Sequence, residues 1–324
     1  MKKVFVTDRS WPSYDGFVAA VEAAGGTAVF ASAQDEETLI REGFDADIIV
    51  NSFAKVTDKV IAALTHCEMI VRTGISVDTI DVDAATAKGI RVCYVPDYCR
   101  DEVADHTFAL SLIGLRHIAL LNNRMHQHVW KSVEAGNVPR LSTAVFGLIG
   151  FGAIAKKMAA RAKAFGMEVV AYDPFLTDNV FEKNGVKHAL TMEDVFSCAD
   201  VVSLHLPLNK QTYHVINAEA FAAMKPGAAF VNTARGGLVD TDALIAALRS
   251  GHIGAASLDV FETEPLPADC PLLEMDNVLL TPHAAYYSKE SLPELVAKST
   301  DEVVRTLEER ENRVVINKKA LGLD

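Results

Sequence analysis

Two series of short apolar segments alternate with helical patterns along this chain, and this alternation constrains the fold more than any other feature. The first series contains KKVFVTD, TAVFAS, DIIVNS, MIVRTG and RVCYV, and the second contains AVFGLI, EVVAYD, VVSLH, AAFVNTA, GAASLDV and NVLLTP. Strands that are apolar throughout, rather than at every second position, are covered by helices on both faces and pair in parallel. The sequence therefore predicts an α/β protein with two doubly wound parallel sheets.

Two long helical patterns divide the series and indicate a discontinuous domain. The first covers residues 101–122 and the second covers residues 288–310, after which RVVIN is predicted to be a strand that returns to the first sheet. With 324 residues, half of them hydrophobic, the chain is long enough for two packed cores. We predict one domain from residues 1–101 and 288–324, a second from residues 102–287, and a cleft between them.

The segment VFGLIGFGAIAKK joins a predicted strand to a predicted helix through a turn of the pattern G-x-G-x-x-A, formed by Gly150, Gly152 and Ala155. In dinucleotide-binding folds the first glycine permits the tight turn and the second lets the backbone approach a pyrophosphate. The third small residue lets the helix pack closely on the strand. The N-terminus of the helix then offers unpaired N–H groups to the phosphates. This turn is predicted to bind a dinucleotide.

Asp173 supports that prediction because it ends the next strand, EVVAYD, where such folds place the carboxylate that binds the adenosine ribose. A carboxylate at this position repels a 2′-phosphate, and Pro174, Phe175 and Leu176 supply no arginine to receive one. The predicted cofactor is therefore NAD rather than NADP. The alternative is that Asp173 only shapes a turn, since Asp-Pro pairs often open turns.

Polar residues follow three of the later strands: Arg235 in NTARGG, Asp259 in SLDVFETEP and His283 in TPHAAYY. Ligands of open α/β sheets bind beyond the carboxyl ends of the strands. Any one of these residues alone is more typical of a salt bridge or a cap. Their combination at one sheet edge predicts a catalytic site.

Seven motifs in succession, RTGISVDTID, VPDYCRDEVADHTFALSL, GLIGFGAIAKKMAARAKAFGMEVVAYDP, HLPLNKQT, NTARGGLVD, SLDVFETEPLP and TPHAAYYS, resemble those of D-isomer-specific 2-hydroxyacid dehydrogenases. The nearest branch holds phosphoglycerate dehydrogenase and the C-terminal-binding-protein corepressors. The resemblance implies a Rossmann cofactor domain, a flavodoxin-like substrate domain and a homodimer formed through the cofactor domain. It also implies that Arg235, Glu264 and His283 form the catalytic trio, whereas the residues alone do not distinguish Glu264 from Glu262.

The resemblance also assigns binding residues. The predicted cofactor contacts, of which Thr107, Ala234 and Asp259 face the nicotinamide, are Gly150, Gly152, Ala153, Ile154, Asp173, His205, Pro207, Thr212, Thr233, Ala234, Asp259, Thr107 and Ala285. The predicted substrate contacts are Gly74, Ile75, Ser76, Val77, Tyr98 and Arg100. The family loop is usually G-x-G-x-D-N, but here Ser76 replaces the second glycine and Thr79 replaces the asparagine. Because serine resists a positive φ, the sequence does not determine the conformation of this loop. The segment VPDYCRDE also departs from the turn that is usual in the family.

The implied activity is NAD-dependent interconversion of a small 2-oxo acid and its D-2-hydroxy acid. Arg235 would bind the carboxylate, His283 would exchange the proton and Glu264 would favour the charged imidazole. Two alternatives stay open: an NAD(H)-sensing regulatory protein of the corepressor type, and a dehydrogenase of the phosphite or formate type. The first would bind NADH without turning over 2-oxo acids.

Charge and cysteine usage limit the partners and the location. The formal net charge of −12 disfavours nucleic acid and anionic membrane surfaces as partners. The five cysteines lack C-x-x-C spacing, which predicts reduced thiols and no metal site. His126 and His128 do not share a helix face and have no apparent third ligand. The apolar run after MKKV is too short for a signal peptide, so a cytoplasmic location is predicted.

Overall fold

The computed structural model describes residues 1–323 as two compact units. The first comprises Met1–Tyr98 and the C-terminal segment from Ser288, and the second comprises Cys99–Tyr287. The first boundary therefore precedes the predicted one, which lay after residue 101. The reason is that helix α5 (Arg100–Leu115) packs against strands of the second unit along its whole length.

The first unit contains one parallel sheet whose five strands are β1 (Lys2–Val6), β2 (Gly26–Phe30), β3 (Ile48–Asn51), β4 (Met69–Arg72) and β5 (Arg91–Tyr94). Their order is β2-β1-β3-β4-β5, which is the flavodoxin-like order. Its helices are α1 (Asp15–Ala23), α2 (Glu36–Gly43), α3 (Asp58–Ala63), α4 (Val82–Ala87) and α12 (Ser291–Leu307), numbered in chain order.

Both faces of this sheet are buried, which explains why its strands are apolar throughout. Val4 and Val6 pack in one core with Val303 of α12, whereas Phe5 packs in a second core with Leu39 of α2 and Ile61 of α3. Successive side chains of a strand point to opposite faces, so neither face tolerates polar residues here. The predicted covering of the sheet by helices on both sides is confirmed.

RVVIN returns to the first sheet, as predicted, but the prediction that it forms a strand is wrong. Val315 makes only an isolated antiparallel bridge with Cys93 at the free edge of β5. The physical reason is that the side chain of Asn317 takes over the pairing. Its Oδ1 accepts the N–H of Val92 at 3.0 Å and its Nδ2 donates to the carbonyl of Ile90 at 2.9 Å.

The second unit contains a seven-stranded parallel sheet formed by β6 (Val145–Ile149), β7 (Glu168–Tyr172), β8 (Lys187–His188), β9 (Val201–Leu204), β10 (Ala228–Asn232), β11 (Ile253–Leu258) and β12 (Val278–Leu280). The order is β12-β11-β10-β9-β6-β7-β8. Its first six strands in chain order have the 3-2-1-4-5-6 arrangement of dinucleotide-binding folds, and β12 extends it. The sequence predicted all of these strands except β8, whose two polar residues form no apolar run.

The helices of the second unit are α5, α6 (Ile118–His126), α7 (Ala153–Ala164), α8 (Asp178–Asn184), α9 (Met192–Cys198), α10 (Ala218–Ala223) and α11 (Thr241–Arg249). The predicted single helix over residues 101–122 is two helices. His117 has a left-handed φ of 50°, and its N–H bonds to the carbonyl of Gly114, which ends α5. No helix within residues 1–323 combines the length and the apolar character needed to span a bilayer.

Candidate active site

The glycine turn lies where β6 meets α7, beside the point at which the strand order reverses. Gly150 has a φ of +90°, and a Cβ there would lie 2.6 Å from the carbonyl oxygen of His205. Gly152 is the N-cap of α7, and no described side chain caps this helix. No atom of residues 1–323 outside its immediate chain neighbours lies within 4 Å of the position that a Cβ of Gly152 would take. The N–H groups of the first turn of α7 thus border open space, which fits a pyrophosphate.

Asp173 follows β7 and lies beside this turn. Its Oδ2 accepts the N–H of Phe151 at 2.9 Å, and its Oδ1 accepts the N–H of Phe175 at 3.0 Å. The carboxylate therefore shapes its own turn and the glycine turn together. Each oxygen still has acceptor capacity for a hydroxyl, so the turn role and the ribose role are compatible.

The segment after β9 carries three further predicted cofactor contacts. The N–H of His205 donates to the carbonyl of Ile149 at 2.8 Å, and burial lowers the pKa of its imidazole to about 4, so the ring is neutral. Pro207 and Thr212 lie in the following loop. The hydroxyl of Thr212 donates to the carbonyl of Pro207 at 2.7 Å and accepts the N–H of Asn209 at 2.9 Å. These bonds give the loop a fixed shape.

Thr107 and Thr233 connect α5 to the end of β10. The hydroxyl of Thr107 is buried and donates to the carbonyl of Val103 at 2.5 Å. Its oxygen lies 2.6 Å from the hydroxyl of Thr233, which therefore donates to it. Thr107 is thus brought to the edge of the sheet where Ala234 and Arg235 follow.

Asn232, which the sequence analysis missed, shapes the turn that carries Arg235. It is buried at the end of β10, its Nδ2 donates to the carbonyl of Arg235 at 2.8 Å and its Oδ1 accepts the N–H of Ala234 at 3.0 Å. A buried amide at the carboxyl end of a predicted strand is the signal that could have identified it. Gly236 follows, and a Cβ there would overlap the backbone of Phe261. The turn of Arg235 therefore packs directly on the segment that leads to Glu264.

Asp259 directly follows β11, is fully buried and organises the turn over residues 281–285. Its Oδ1 accepts from the hydroxyl of Thr281 at 2.5 Å and from the N–H of Ala284 at 2.8 Å. Its Oδ2 accepts the N–H of Ala285 at 2.9 Å. His283 lies in the middle of this turn with a φ of 53°.

His283 and Glu264 form a close pair. Nδ1 of His283 lies 2.7 Å from Oε2 of Glu264, and Oε1 of Glu264 accepts the N–H of Phe261 at 2.9 Å. Burial alone would raise the pKa of Glu264. The hydrogen bond and charge of His283, the bond from Phe261 and the charge of Arg235 outweigh burial, and together they lower that pKa below its ordinary value. Glu264 is thus a carboxylate that holds the Nδ1 proton and leaves Nε2 to act as acid or base.

Glu262, the alternative that the residues left open, is engaged elsewhere. Its Oε1 lies 2.5 Å from Nε2 of His214, and its Oε2 accepts the N–H of Thr241 at 2.9 Å. Only Glu264 meets His283. The second unit therefore places the predicted trio on neighbouring segments. The turn of Arg235 contacts the segment of Glu264 where Gly236 packs on the backbone of Phe261.

The predicted substrate loop lies in the first unit, after β4. A Cβ on Gly74 would overlap the guanidinium of Arg72, and the carbonyl of Gly74 accepts the N–H of Val95 at 2.9 Å. Ser76 is not among the residues with positive φ, so its replacement of a glycine causes no backbone strain. Its hydroxyl donates to Asp78 at 2.5 Å. The other loop residues are Ile75 and Val77, both partly exposed.

Tyr98 and Arg100, the two further predicted substrate contacts, fall on either side of the unit boundary. Tyr98 is the last residue of the N-terminal part of the first unit and is buried, whereas Arg100 opens α5 in the second unit and is partly exposed. Within residues 1–323, no three His, Cys, Asp or Glu side chains are grouped in a way that could hold a metal ion.

Comparison with known proteins gives consistent matches. Residues 108–285 match the family model of the D-isomer specific 2-hydroxyacid dehydrogenase NAD-binding domain. D-3-phosphoglycerate dehydrogenase of Methanocaldococcus jannaschii is 40% identical over 292 residues, which cover 90% of this chain and 55% of that protein. The enzyme of the same name from Bacillus subtilis is 36% identical over 306 residues, covering 94% and 57%. The chain thus spans about half the length of the curated relatives that it matches.

Solved structures match this chain over nearly its full length and over nearly their own full length. D-lactate dehydrogenase from Aquifex aeolicus, complexed with NAD and lactic acid, is 28% identical with a TM-score of 0.86 and covers 97% of this chain and 99% of its own. A glyoxylate reductase from Paecilomyes thermophila is 26% identical with a TM-score of 0.86, covering 98% and 99%.

Proposed function

Because the chain belongs to the D-isomer specific 2-hydroxyacid dehydrogenase family and contains its NAD-binding domain, we propose that it is an NAD-dependent oxidoreductase that interconverts a small 2-oxo acid and its D-2-hydroxy acid. The observation that carries this proposal is the pair of His283 and Glu264. This pair holds one imidazole nitrogen and leaves the other to exchange a proton. Lactate and glyoxylate, named for the structural neighbours, are examples of the small acids concerned.

The cofactor would be held by the glycine turn, the N-terminus of α7 and Asp173, with Thr107, Ala234 and Asp259 toward the nicotinamide. NAD(H), when bound, supplies or accepts the hydride. The open space at Gly152 and the uncapped α7 support this assignment. The family motifs assign the remaining contacts to Gly150, Ala153, Ile154, His205, Pro207, Thr212, Thr233 and Ala285.

Arg235 would bind the substrate carboxylate, because its planar guanidinium presents parallel N–H donors that match a carboxylate. The same charge stabilises the negative charge that develops on the carbonyl oxygen during reduction. The resemblance extends this role to the loop over residues 74–77, whose backbone N–H groups are the expected partners of an anionic group. Tyr98 and Arg100 are proposed to contribute to substrate selection.

His283 would donate its Nε2 proton to the carbonyl oxygen during reduction and would accept a proton from the hydroxyl during oxidation. The carboxylate of Glu264 fixes the ring by accepting the Nδ1 proton. Reduction therefore requires the protonated ring, and oxidation requires the neutral one.

The test is oxidation of NADH by the purified protein across a panel of 2-oxo acids that includes neutral, dicarboxylate and phosphorylated members. Turnover of one or more members supports the proposal. Tight NADH binding without turnover of any member would contradict it and favour a regulatory protein of the corepressor type. NAD reduction by phosphite or formate, with no 2-oxo acid turned over, would favour that alternative class.

Asp173→Ala should change cofactor preference. The carboxylate lies beside the glycine turn, where it would accept hydroxyls of the ribose and repel a 2′-phosphate. We expect a higher KM for NADH, and a KM for NADPH that falls or rises less. Steady-state kinetics with both cofactors measure this, with Asp178→Ala as a control carboxylate from the following helix. A wild-type protein that already prefers NADPH would contradict the assignment.

The proposed homodimer forms through the second unit. Helix α6 has no buried residue, and the segment from it to residue 133 exposes Ile118, Met125, Trp130 and Val133. Apolar side chains concentrated in this way are typical of a protein interface. A second copy of the chain is the partner that the family resemblance implies.

Trp130→Glu should therefore shift the protein toward the monomer. Trp130 is 85% exposed in the single chain, so a charge is accommodated in the monomer and penalised only in an interface. Light scattering after size exclusion measures the mass, and Leu190→Glu, at a residue that is 77% exposed, is the matched control. A wild-type protein that is monomeric at micromolar concentration would contradict the proposal.

A cytoplasmic location is also part of the proposal. All five cysteines are free thiols, and burial raises the pKa of Cys67 to about 12. Free thiols fit a reducing compartment.

A further inference from the structure

His106 on α5 contacts the site but has no part in the mechanism above. Its Nε2 lies 3.1 Å from the hydroxyl oxygen of Thr281 and 3.6 Å from Oδ1 of Asp259. The hydroxyl of Thr281 lies 2.5 Å from the same Oδ1. The three side chains form a continuous hydrogen-bond chain from α5 to the buried carboxylate, here called the His106–Thr281–Asp259 chain.

The hydrogen bonds of the His106–Thr281–Asp259 chain can have only one assignment of donors and acceptors. The carboxylate of Asp259 receives a backbone N–H on each oxygen, from Ala284 and Ala285, as an ionised acceptor does. The single hydroxyl hydrogen of Thr281 must then point to Asp259, so its oxygen can only accept from His106. It follows that Nε2 of His106 carries a proton and donates it.

Asp259 in turn holds the backbone around His283. Its carboxylate binds the N–H groups of the two residues after His283, and its carbonyl accepts the N–H of His283 itself at 2.8 Å. His283 has a φ of 53°, which residues other than glycine seldom adopt unless surrounding bonds maintain it. A carboxylate that turned away from Ala284 and Ala285 would let this backbone relax and move the imidazole relative to Glu264.

We propose that His106 and Thr281 are positioning residues that fix the Asp259 carboxylate and, through it, the turn of His283. The proposal rests on the proposed dehydrogenase function, in which His283 transfers the proton. The carbonyl of Thr281 also accepts the N–H of His283 at 3.1 Å, but a change of side chain leaves that bond in place. The side chains of His106 and Thr281 therefore act on His283 through Asp259. Their loss lowers the rate of proton transfer and leaves binding of the substrate carboxylate at Arg235 unaffected.

Steady-state kinetics of four variants test the role of the His106–Thr281–Asp259 chain. Thr281→Val removes the hydroxyl at constant shape, and His106→Phe removes the donor while keeping a ring. We expect Thr281→Val to lower kcat about 10- to 100-fold, the effect of losing a hydrogen bond to a charged group. His106→Phe loses a bond to a neutral hydroxyl and should lower kcat about 2- to 10-fold, and both variants should leave KM for the 2-oxo acid little changed. Thr281→Ser and His106→Gln retain a donor and should recover most of kcat. Thr143→Val, on an exposed turn, is the control and should match the wild type.

A double-mutant cycle distinguishes an effect transmitted through the His106–Thr281–Asp259 chain from two independent effects on packing. If both residues act through Asp259, the double variant with His106→Phe and Thr281→Val should be no slower than the slower single variant. Losses in kcat that multiply would overturn the proposal. So would wild-type kcat in Thr281→Val, or a loss in Thr281→Ser as large as that in Thr281→Val.

Labelling of His283 by diethyl pyrocarbonate, followed by mass spectrometry, tests positioning without any turnover. In the protein without substrate, Thr281→Val and His106→Phe should change the labelling rate of His283 severalfold, while Thr281→Ser and Thr143→Val label as the wild type does. Equal rates in all variants would overturn the proposal. If the wild type turns over no 2-oxo acid, the proposed function fails, and the labelling result alone decides the positioning role.

Discussion

His283→Ala is expected to lower kcat in both directions by about 10²- to 10⁴-fold, because the substitution removes the proposed general acid and base. Glu264 cannot replace the imidazole at Nε2, since it is engaged with Nδ1 and with the N–H of Phe261. Initial rates of reduction and of oxidation measure the loss, and circular dichroism checks that the variant is folded. His66→Ala, at an exposed histidine of the first unit, is the control and should keep wild-type rates. Substantial turnover by His283→Ala would mean that the proton comes from another group.

Glu264→Gln separates the charge of the pair from its shape. The lowered pKa of Glu264 keeps it a carboxylate at neutral pH, where it accepts the Nδ1 proton of His283, whereas a glutamine carries no charge. Reduction, which needs the protonated ring, falls as pH rises, and oxidation increases over the same interval. Without the charge, both pH–rate profiles should move toward lower pH. Unchanged profiles would show that Glu264 does not control the protonation of His283.

Gly236→Ala is expected to have the second largest effect, because it disturbs two catalytic segments at once. The added Cβ would overlap the carbonyl of Phe261 and the amide nitrogen of Glu262, and backbone atoms cannot yield as a flexible side chain can. The turn of Arg235 and the segment of Glu264 must then separate. We expect a destabilisation of at least about 3 kcal/mol together with a large loss of kcat/KM.

Gly237→Ala is the matched control for that substitution. Its Cβ would lie 3.1 Å from the tip of the Leu208 side chain, which can rotate aside, and 3.6 Å from the ring of Tyr213, an ordinary contact distance. Thermal unfolding and steady-state kinetics of the two variants should therefore differ sharply. Equal behaviour of the two alanine variants would show that the contact between Gly236 and Phe261 is not needed to hold the site.

Much of the fold could be predicted because its determinants are local. Apolar runs such as those of β1 and β10 are buried on both faces, so their composition alone indicates parallel sheets. The glycine turn was also predictable, because Gly150 has a backbone conformation that few other residues tolerate. The match of residues 108–285 to the family model confirms the predicted family and its NAD-binding domain.

The errors in the fold arose where a side chain replaced regular backbone pairing. Asn317 occupies the edge of β5 with its own amide, so RVVIN is not a strand although its composition is typical of one. His117 adopts a left-handed conformation that ends α5 within a continuous helical pattern. Neither residue type signals such a role in the sequence, because both roles depend on partners brought near by folding.

The sequence by itself determined the two parallel sheets, the dinucleotide turn and the residue types at the strand ends, since periodicity and glycine conformation act over a few neighbouring positions. Only the tertiary structure decided which of the two glutamates forms a hydrogen bond with His283. Glu262 and Glu264 are two residues apart and chemically identical, but Glu262 meets His214, 48 positions earlier, and Glu264 meets His283, 19 positions later. Such pairings depend on how the turns after separate strands pack, as at Gly236 against Phe261. That packing is a property of the folded chain, which no local pattern encodes.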